Sequence, residues 1–284
     1  MLAILGGAAA AVIWAFGGTC ATRASRQVGA PLTLAWVMGS GLVLLAVPLA
    51  LSQTPRWSPD VVLWLAMSGI GNVVGLLLTY GAVRRGYLGL VAPILSAEGA
   101  VTAVIAIAAG ESIAIDRVVA LVAVTAGVVL TARSGGRPAL ARGDEARGPG
   151  AAGLAVLAAV SFGVALYGTG RAGASVPLTW AVLPPRLVGG LALTLPYAAT
   201  SSLRLPRSVV PLVLTTGTCE VLGFYSYTLG ARHGLAVAAV LASLTGAVAV
   251  GMGRLAFGER LRPIQLVGVF VIAAGVATLS ALAG

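Results

Sequence analysis

Residues 134–150 read SGGRPALARGDEARGPG, the one long polar run in this chain. Gly, Pro and mixed charges leave nothing apolar to bury, so the run is expected as a flexible linker. The sequence on either side has the opposite character. The 284 residues are 58% hydrophobic and only 9% charged, with a mean hydropathy of +1.01. A soluble globular protein carries about 25% charged residues. Polar groups are too few here to cover the apolar surface, and the expected solvent is lipid. The linker therefore separates two membrane-embedded halves, 1–133 and 151–284.

A helix needs roughly 20 apolar residues to cross the hydrocarbon core of a bilayer. Ten stretches are candidate spans: 2–22, 32–52, 60–82, 87–109 and 117–133 before the linker, and 151–170, 178–200, 208–231, 235–253 and 263–283 after it. Met1 runs straight into the first without a basic leader, so that stretch reads as a transmembrane helix and not as a cleavable signal.

The formal net charge is +10, and all 18 basic residues are Arg. They sit at the ends of apolar runs and not on one polar surface, which suits lipid headgroups and excludes nucleic acid as the expected partner. Of the 17 loop arginines, 13 follow odd-numbered spans. That excess predicts those loops in the cytoplasm and both termini outside. Cys20 and Cys219 lie in apolar stretches and make neither a disulfide framework nor a metal motif. No metal or cofactor is expected.

Shifting the first half by 148 residues brings landmarks into register. Arg23 meets Arg171, Gly69 meets Gly217, Gly75 meets Gly223, Arg84 meets Arg232, and Gly127 meets Gly275. Gly110-Glu111 likewise meets Gly258-Glu259. Five spans is an odd number, so a second copy must enter the membrane upside down. Inverted repeats recur in secondary transporters, with the substrate site near the midplane where the halves meet. The fold class expected is an all-α integral membrane protein, ten transmembrane helices built as two inverted five-helix repeats.

Each half closes with an apolar helix, then Gly-Glu, a short polar turn, and a second apolar helix with a late Gly-Val. Residues 97–130 read AEGAVTAVIAIAAGESIAIDRVVALVAVTAGVVL, and residues 241–279 read LASLTGAVAVGMGRLAFGERLRPIQLVGVFVIAAGVATL. Both resemble the repeat of the EamA-type transporters of the drug/metabolite transporter superfamily. The resemblance implies a ten-helix carrier of small metabolites in a bacterial plasma membrane. It also implies both termini inside, against the arginine count, and it favours efflux. The family often has Pro near the middle of the fourth helix, where this chain has Glu98. Several cation exporters of the superfamily use a Glu in their first helix, and this chain has none there.

Charges at bilayer depth are costly, by about 2.5–3.5 kcal/mol on insertion scales, and usually mark substrate or ion pathways. Glu98, Glu220 and Arg186 are the candidates. Glu220 centres the eighth span, and its repeat mate is Asn72. Gly223, Phe224 and Tyr227 share its face at i+3, i+4 and i+7. A carboxylate beside an aromatic ring and a phenol suits an amine-bearing substrate. Glu98 centres the fourth span; burial favours a neutral carboxyl, so it is a candidate for proton coupling, or else a cross-link between packed helices. Arg186 follows Pro184-Pro185, which should kink its helix or loosen its first turn. It is expected to hold a substrate anion, to pair with Glu220 or Glu98, or to snorkel to the nearer interface. Trp14 and its mate Phe162 are candidates for a cavity wall or for plain packing. Glu111 and Glu259 read as structural acids beside helix starts.

The reading that joins these features is a secondary active transporter. It would move a small polar metabolite or amphipathic compound by alternating access, coupled to protons. No Walker-type motif and no Lys occur, so ATP is not its fuel. A membrane sensor or partner subunit is the alternative, although little chain is left outside the spans. A membrane enzyme acting on lipid-linked substrates is a third, opposed by a single His and no paired metal-spaced carboxylates.

Overall fold

In lipid a backbone has no hydrogen-bond partner but itself, and a helix satisfies nearly all of its groups internally. The computed structural model describes residues 1–85, 91, 94–132, 150–200, 203–249, 252 and 263–282. Among them every regular element is a helix. In chain order these are α1 Leu2–Val28, α2 Ala30–Leu51, α3 Pro59–Arg85, α4 Glu98–Ala108, α5 Ile115–Ala132 and α6 Ala151–Ser175. There follow α7 Leu178–Gly189, α8 Leu195–Thr200, α9 Val210–Ala231, α10 Leu235–Ala242 and α11 Pro263–Ala281. Residues 134–149 of the expected linker, and Gly258-Glu259, lie outside the described residues.

Five described helices are long and apolar enough to cross a bilayer: Leu2–Val28, Ala30–Leu51, Pro59–Ala82, Ala151–Ser175 and Leu178–Ala199. Shorter apolar helices cover Glu98–Ala108, Leu235–Ala249 and Leu266–Leu279. Large side chains such as Leu5, Phe16, Val47, Leu63 and Phe270 point outward, while the buried interior is rich in Ala. Lipid tails are as apolar as Leu, so contact between helices depends on close backbone approach over small residues.

Glycines supply that approach in matched pairs. A Cβ on Gly127 would lie 2.8 Å from the Gly268 carbonyl oxygen and from Ile272, and one on Gly275 would lie 2.6 Å from Val124 and 3.2 Å from the Ala120 oxygen. Both partners and both glycines are related by the 148-residue shift. The Phe162 ring covers Gly75, and the Trp14 ring covers Gly223, again at that shift. Helix packing follows the same pattern. α1 lies along α9 and α3 along α6; α2 meets α9 and α3 meets α7; α4 crosses α10, and α5 crosses α11.

Two expected spans are not continuous helices. A turn at Ser96–Ala97 precedes α4, so Glu98 opens a helix instead of centring one. A turn at Ser243–Leu244 follows α10, and helix resumes at Thr245. The interruptions fall at one motif, Ser96-Ala97-Glu98-Gly99-Ala100 and Ser243-Leu244-Thr245-Gly246-Ala247. In the second copy Ser243 Oγ donates to the Val240 carbonyl at 2.7 Å and Thr245 Oγ1 to the Ala242 carbonyl at 2.8 Å. Such local bonds compete with the helical ladder. The gaps also let the two segments cross closely: Gly99 abuts Ala239 and Ser243, while Gly246 abuts Ser96.

The double proline does not end α7. The irregularity comes one turn later, as a π turn over Gly190–Thr194 that leads into α8. There Gly189 and Gly190 sit against Met38 and Leu42 of α2.

Steric room at these glycines is testable at single positions. Gly127→Ala should lower the unfolding free energy in detergent by about 1–3 kcal/mol through overpacking. Gly153→Ala, whose Cβ meets nothing within 4 Å, should leave it unchanged or raise it by up to about 1 kcal/mol through helix propensity.

Candidate functional site

Helices α1, α2, α3, α6 and α9, with the first residue of α4, enclose a cavity of about 440 Å³. Its lining runs from Trp14, Asn72, Glu98, Glu220 and Phe224 out to Ser25, Thr33 and the exposed Thr22 near the α1–α2 connection. The lining is mixed: aromatic rings, aliphatic groups, hydroxyls, one amide and two carboxyls. Asn72, Leu76 and Tyr80 present one stripe of α3 to it, spaced i, i+4, i+8.

Arg186 sits beside this cavity with no exposed surface. Its Nη2 donates to Glu220 Oε2 at 2.8 Å, while the Glu220 side chain keeps 33% of its surface open. Nη1 donates to Met38 Sδ at 3.4 Å, and the guanidinium lies 5.2 Å from the centre of the Phe224 ring. Gly41 on α2 leaves space for the arginine stem; a Cβ there would lie 2.8 Å from Arg186 Cδ. Of the roles expected for Arg186, the geometry gives the ion pair with Glu220. A buried cation is tolerated when it is paired and hydrogen-bonded in this way.

The consequence is electrostatic. Glu220 and Arg186 together carry no net charge. Glu98 has no ion-pair partner among the described residues. Two further groups in the lining are also unmatched: Trp14 Nε1 and Asn72 Oδ1 are buried without a hydrogen-bond partner, as is Arg186 Nε. Buried polar atoms normally find partners, and those that do not call for an explanation.

Tyr227 differs from its sequence-based reading. It shares the face of Glu220, but it does not line the cavity. It is fully buried, and its hydroxyl donates to the Leu166 carbonyl at 2.8 Å. Trp14 packs edge-on against Phe224, with ring centres 5.1 Å apart, and is tilted against Tyr227 at 6.4 Å. Two turns along a helix from Glu220, Tyr227 has already passed into the packed layer beneath the cavity. Beyond it lies a second, polar hollow of about 320 Å³. There Glu111 accepts from the Ala236 N–H at 3.3 Å, at the start of α10. Its structural role is served on a different helix from the one that follows it. Arg232 donates to the Gly173 and Val176 carbonyls at 2.6 and 3.1 Å.

Sequence reasoning missed Met38, Tyr80, Thr33, Thr216 and Thr245 in the main cavity. Tyr80 was accessible by extending the helical period from Asn72; Met38 and the threonines carry no signal that separates them from packing residues.

The ion pair can be tested by removing one partner. Glu220→Gln leaves Arg186 buried and unpaired, and should cost about 3–5 kcal/mol of unfolding free energy in detergent. Adding Arg186→Met to that variant should recover most of the loss.

Residues 1–133 match the EamA-like transporter family. No curated protein matches the chain. A solved structure described as "Crystal structure of protein" has 18% identity to it and a TM-score of 0.76, over 99% of this chain and 96% of the other. At that identity the likeness is one of fold. Residues 1–133 are thus similar to the EamA-like transporter family, and the chain is a multi-pass membrane protein.

Proposed function

We propose that the chain is a secondary active transporter that moves a small polar or amphipathic compound by alternating access, coupled to protons through Glu98. The observation that carries this reading is the one-sided cavity. It reaches exposed Thr22 at one end, and fully buried Tyr227 underlies it at the other. A path that is open on one side and sealed on the other is what alternating access requires. The reciprocal glycine contacts and the interrupted helices at Ser96 and Ser243 support reading the halves as inverted five-helix repeats around this cavity. On that reading the spans number ten, and residues 1–133 and 151–284 are the rocking units.

The mouth lies on the side of the odd-span loops, where most of the arginines fall. Taking the positive-inside rule over the family tendency makes this mouth cytoplasmic. A cavity loaded from the cytoplasm supports efflux across a bacterial plasma membrane. Glu98 takes up a proton from one side and releases it on the other, because it is the cavity carboxyl without a basic partner among the described residues.

Transport is tested in proteoliposomes, with a metabolite panel under an imposed proton gradient. At least one compound should accumulate against its gradient, and Glu98→Gln should reduce that accumulation more than tenfold. Normal coupling in this variant would sink the assignment of Glu98. Topology is tested separately. With Cys20 and Cys219 replaced, a cysteine at Leu140 should resist a membrane-impermeant maleimide in intact cells, and one at the C-terminus should react.

A further inference from the structure

We propose that the cavity takes a flat monocation bearing N–H groups, an amidinium or protonated amine on an aromatic body, and exchanges it for one proton held at Glu98, so that the cycle moves no net charge. The inference rests on the transporter reading above and adds to it the substrate class and the stoichiometry.

The charge count comes first. Two carboxyls line the cavity, but Glu220 is bound to Arg186 at 2.8 Å. One negative site remains, at Glu98. Among the described residues, the other ionisable groups near it are Tyr80 on α3, in the lining, and Tyr227 on α9, beneath it; α5, α6 and α10, which pack on α4, bring none to the cavity. An anion would meet Glu98 with no free cation among the described lining residues to offset it, because Arg186 is fully buried and occupied. A dication would leave one charge unmatched in a site of low dielectric. A monocation matches the site.

Shape and hydrogen bonding narrow the class. Asn72 Oδ1 is a buried acceptor with nothing to accept from, so the head of the ligand should carry N–H donors to share between it and Glu98. Trp14 Nε1 is packed against Gly223 and makes no demand on the ligand. Rings of Trp14, Phe162, Phe224 and Tyr80 offer walls to a planar body and favour a cation near their faces.

The exchange balances simply. Protonated Glu98 is neutral; when the monocation binds, the proton leaves to the water on the side the mouth faces. After the halves rock, a proton from the opposite side displaces the cation. One positive charge moves each way. The driving force is then the pH difference alone, and the membrane potential adds nothing.

Three isosteric probes test this: benzamidine, a cation at neutral pH, benzamide, which is neutral, and benzoate. In proteoliposomes of the full chain, labelled benzamidine should be taken up when the lumen is acid, with one proton leaving per molecule. A potassium–valinomycin potential of either sign should change the rate less than twofold. Benzamide and benzoate should compete at least tenfold more weakly. Glu98→Gln should abolish exchange while its melting temperature stays within a few degrees, and Asn72→Ala should raise KM several-fold at unchanged stoichiometry. Potential-driven uptake, a ratio other than one, equal competition by benzoate, or exchange surviving in Glu98→Gln would each overturn the proposal. If the wider metabolite panel yields a substrate and benzamidine is not exchanged, this inference falls and the transporter reading stands. If nothing moves under any gradient, both fall.

Discussion

A guanidinium with no water around it must find its charge partner inside the protein, and Arg186 finds Glu220. Much of the centre follows from that requirement. Gly41 makes room for the arginine stem, Met38 offers sulfur to a spare N–H, and Phe224 sets its ring beneath the cation. The pair also decides what the cavity can hold. By cancelling one of two carboxylates, it turns a doubly acidic lining into a singly acidic one. The cavity carboxyl left without an ion partner among the described residues is Glu98, on a different helix from the more obvious Glu220.

Around this centre the packing is made by backbone as much as by side chains. The close approaches at Gly75, Gly99, Gly127, Gly223 and Gly275 leave no space for a Cβ. In lipid such contacts take the place of the hydrophobic driving force that water supplies elsewhere. They also leave surfaces with few interlocking side chains, so neighbouring helices can shift without first withdrawing knobs from holes. The interruptions at Ser96–Ala97 and Ser243–Leu244 fit the same economy, because they allow two segments to cross where unbroken helices would collide.

The amino-acid pattern revealed the large features for physical reasons. Helices in lipid need long apolar runs, so the five long helices could be read directly, and the 148-residue register anticipated the matched glycine contacts. Glu98, Glu220, Asn72 and Trp14 stood out because polar atoms are rare in such runs, and all four reach the cavity. Arg186 stood out equally, but its possible roles differ only in where its guanidinium turns, which no one-dimensional pattern records. Tyr227 was misjudged for a related reason. Helical periodicity gives the face of a residue but not its depth, and two turns separate the open cavity from the packed layer. The break before Glu98 was overlooked although Pro93, five residues upstream, is a helix-breaking residue within the expected span 87–109.

The seal beneath the cavity has an unusual dependence on sequence. Tyr227 donates to the main-chain oxygen of Leu166, and Arg232 donates to those of Gly173 and Val176. Every residue type brings the same carbonyl, so no substitution at 166, 173 or 176 deletes an acceptor. The donors enjoy no such insurance. The acceptors therefore survive any substitution that packing allows, although a Cβ on Gly173 would collide with Thr228, while the donors are pinned to two side chains.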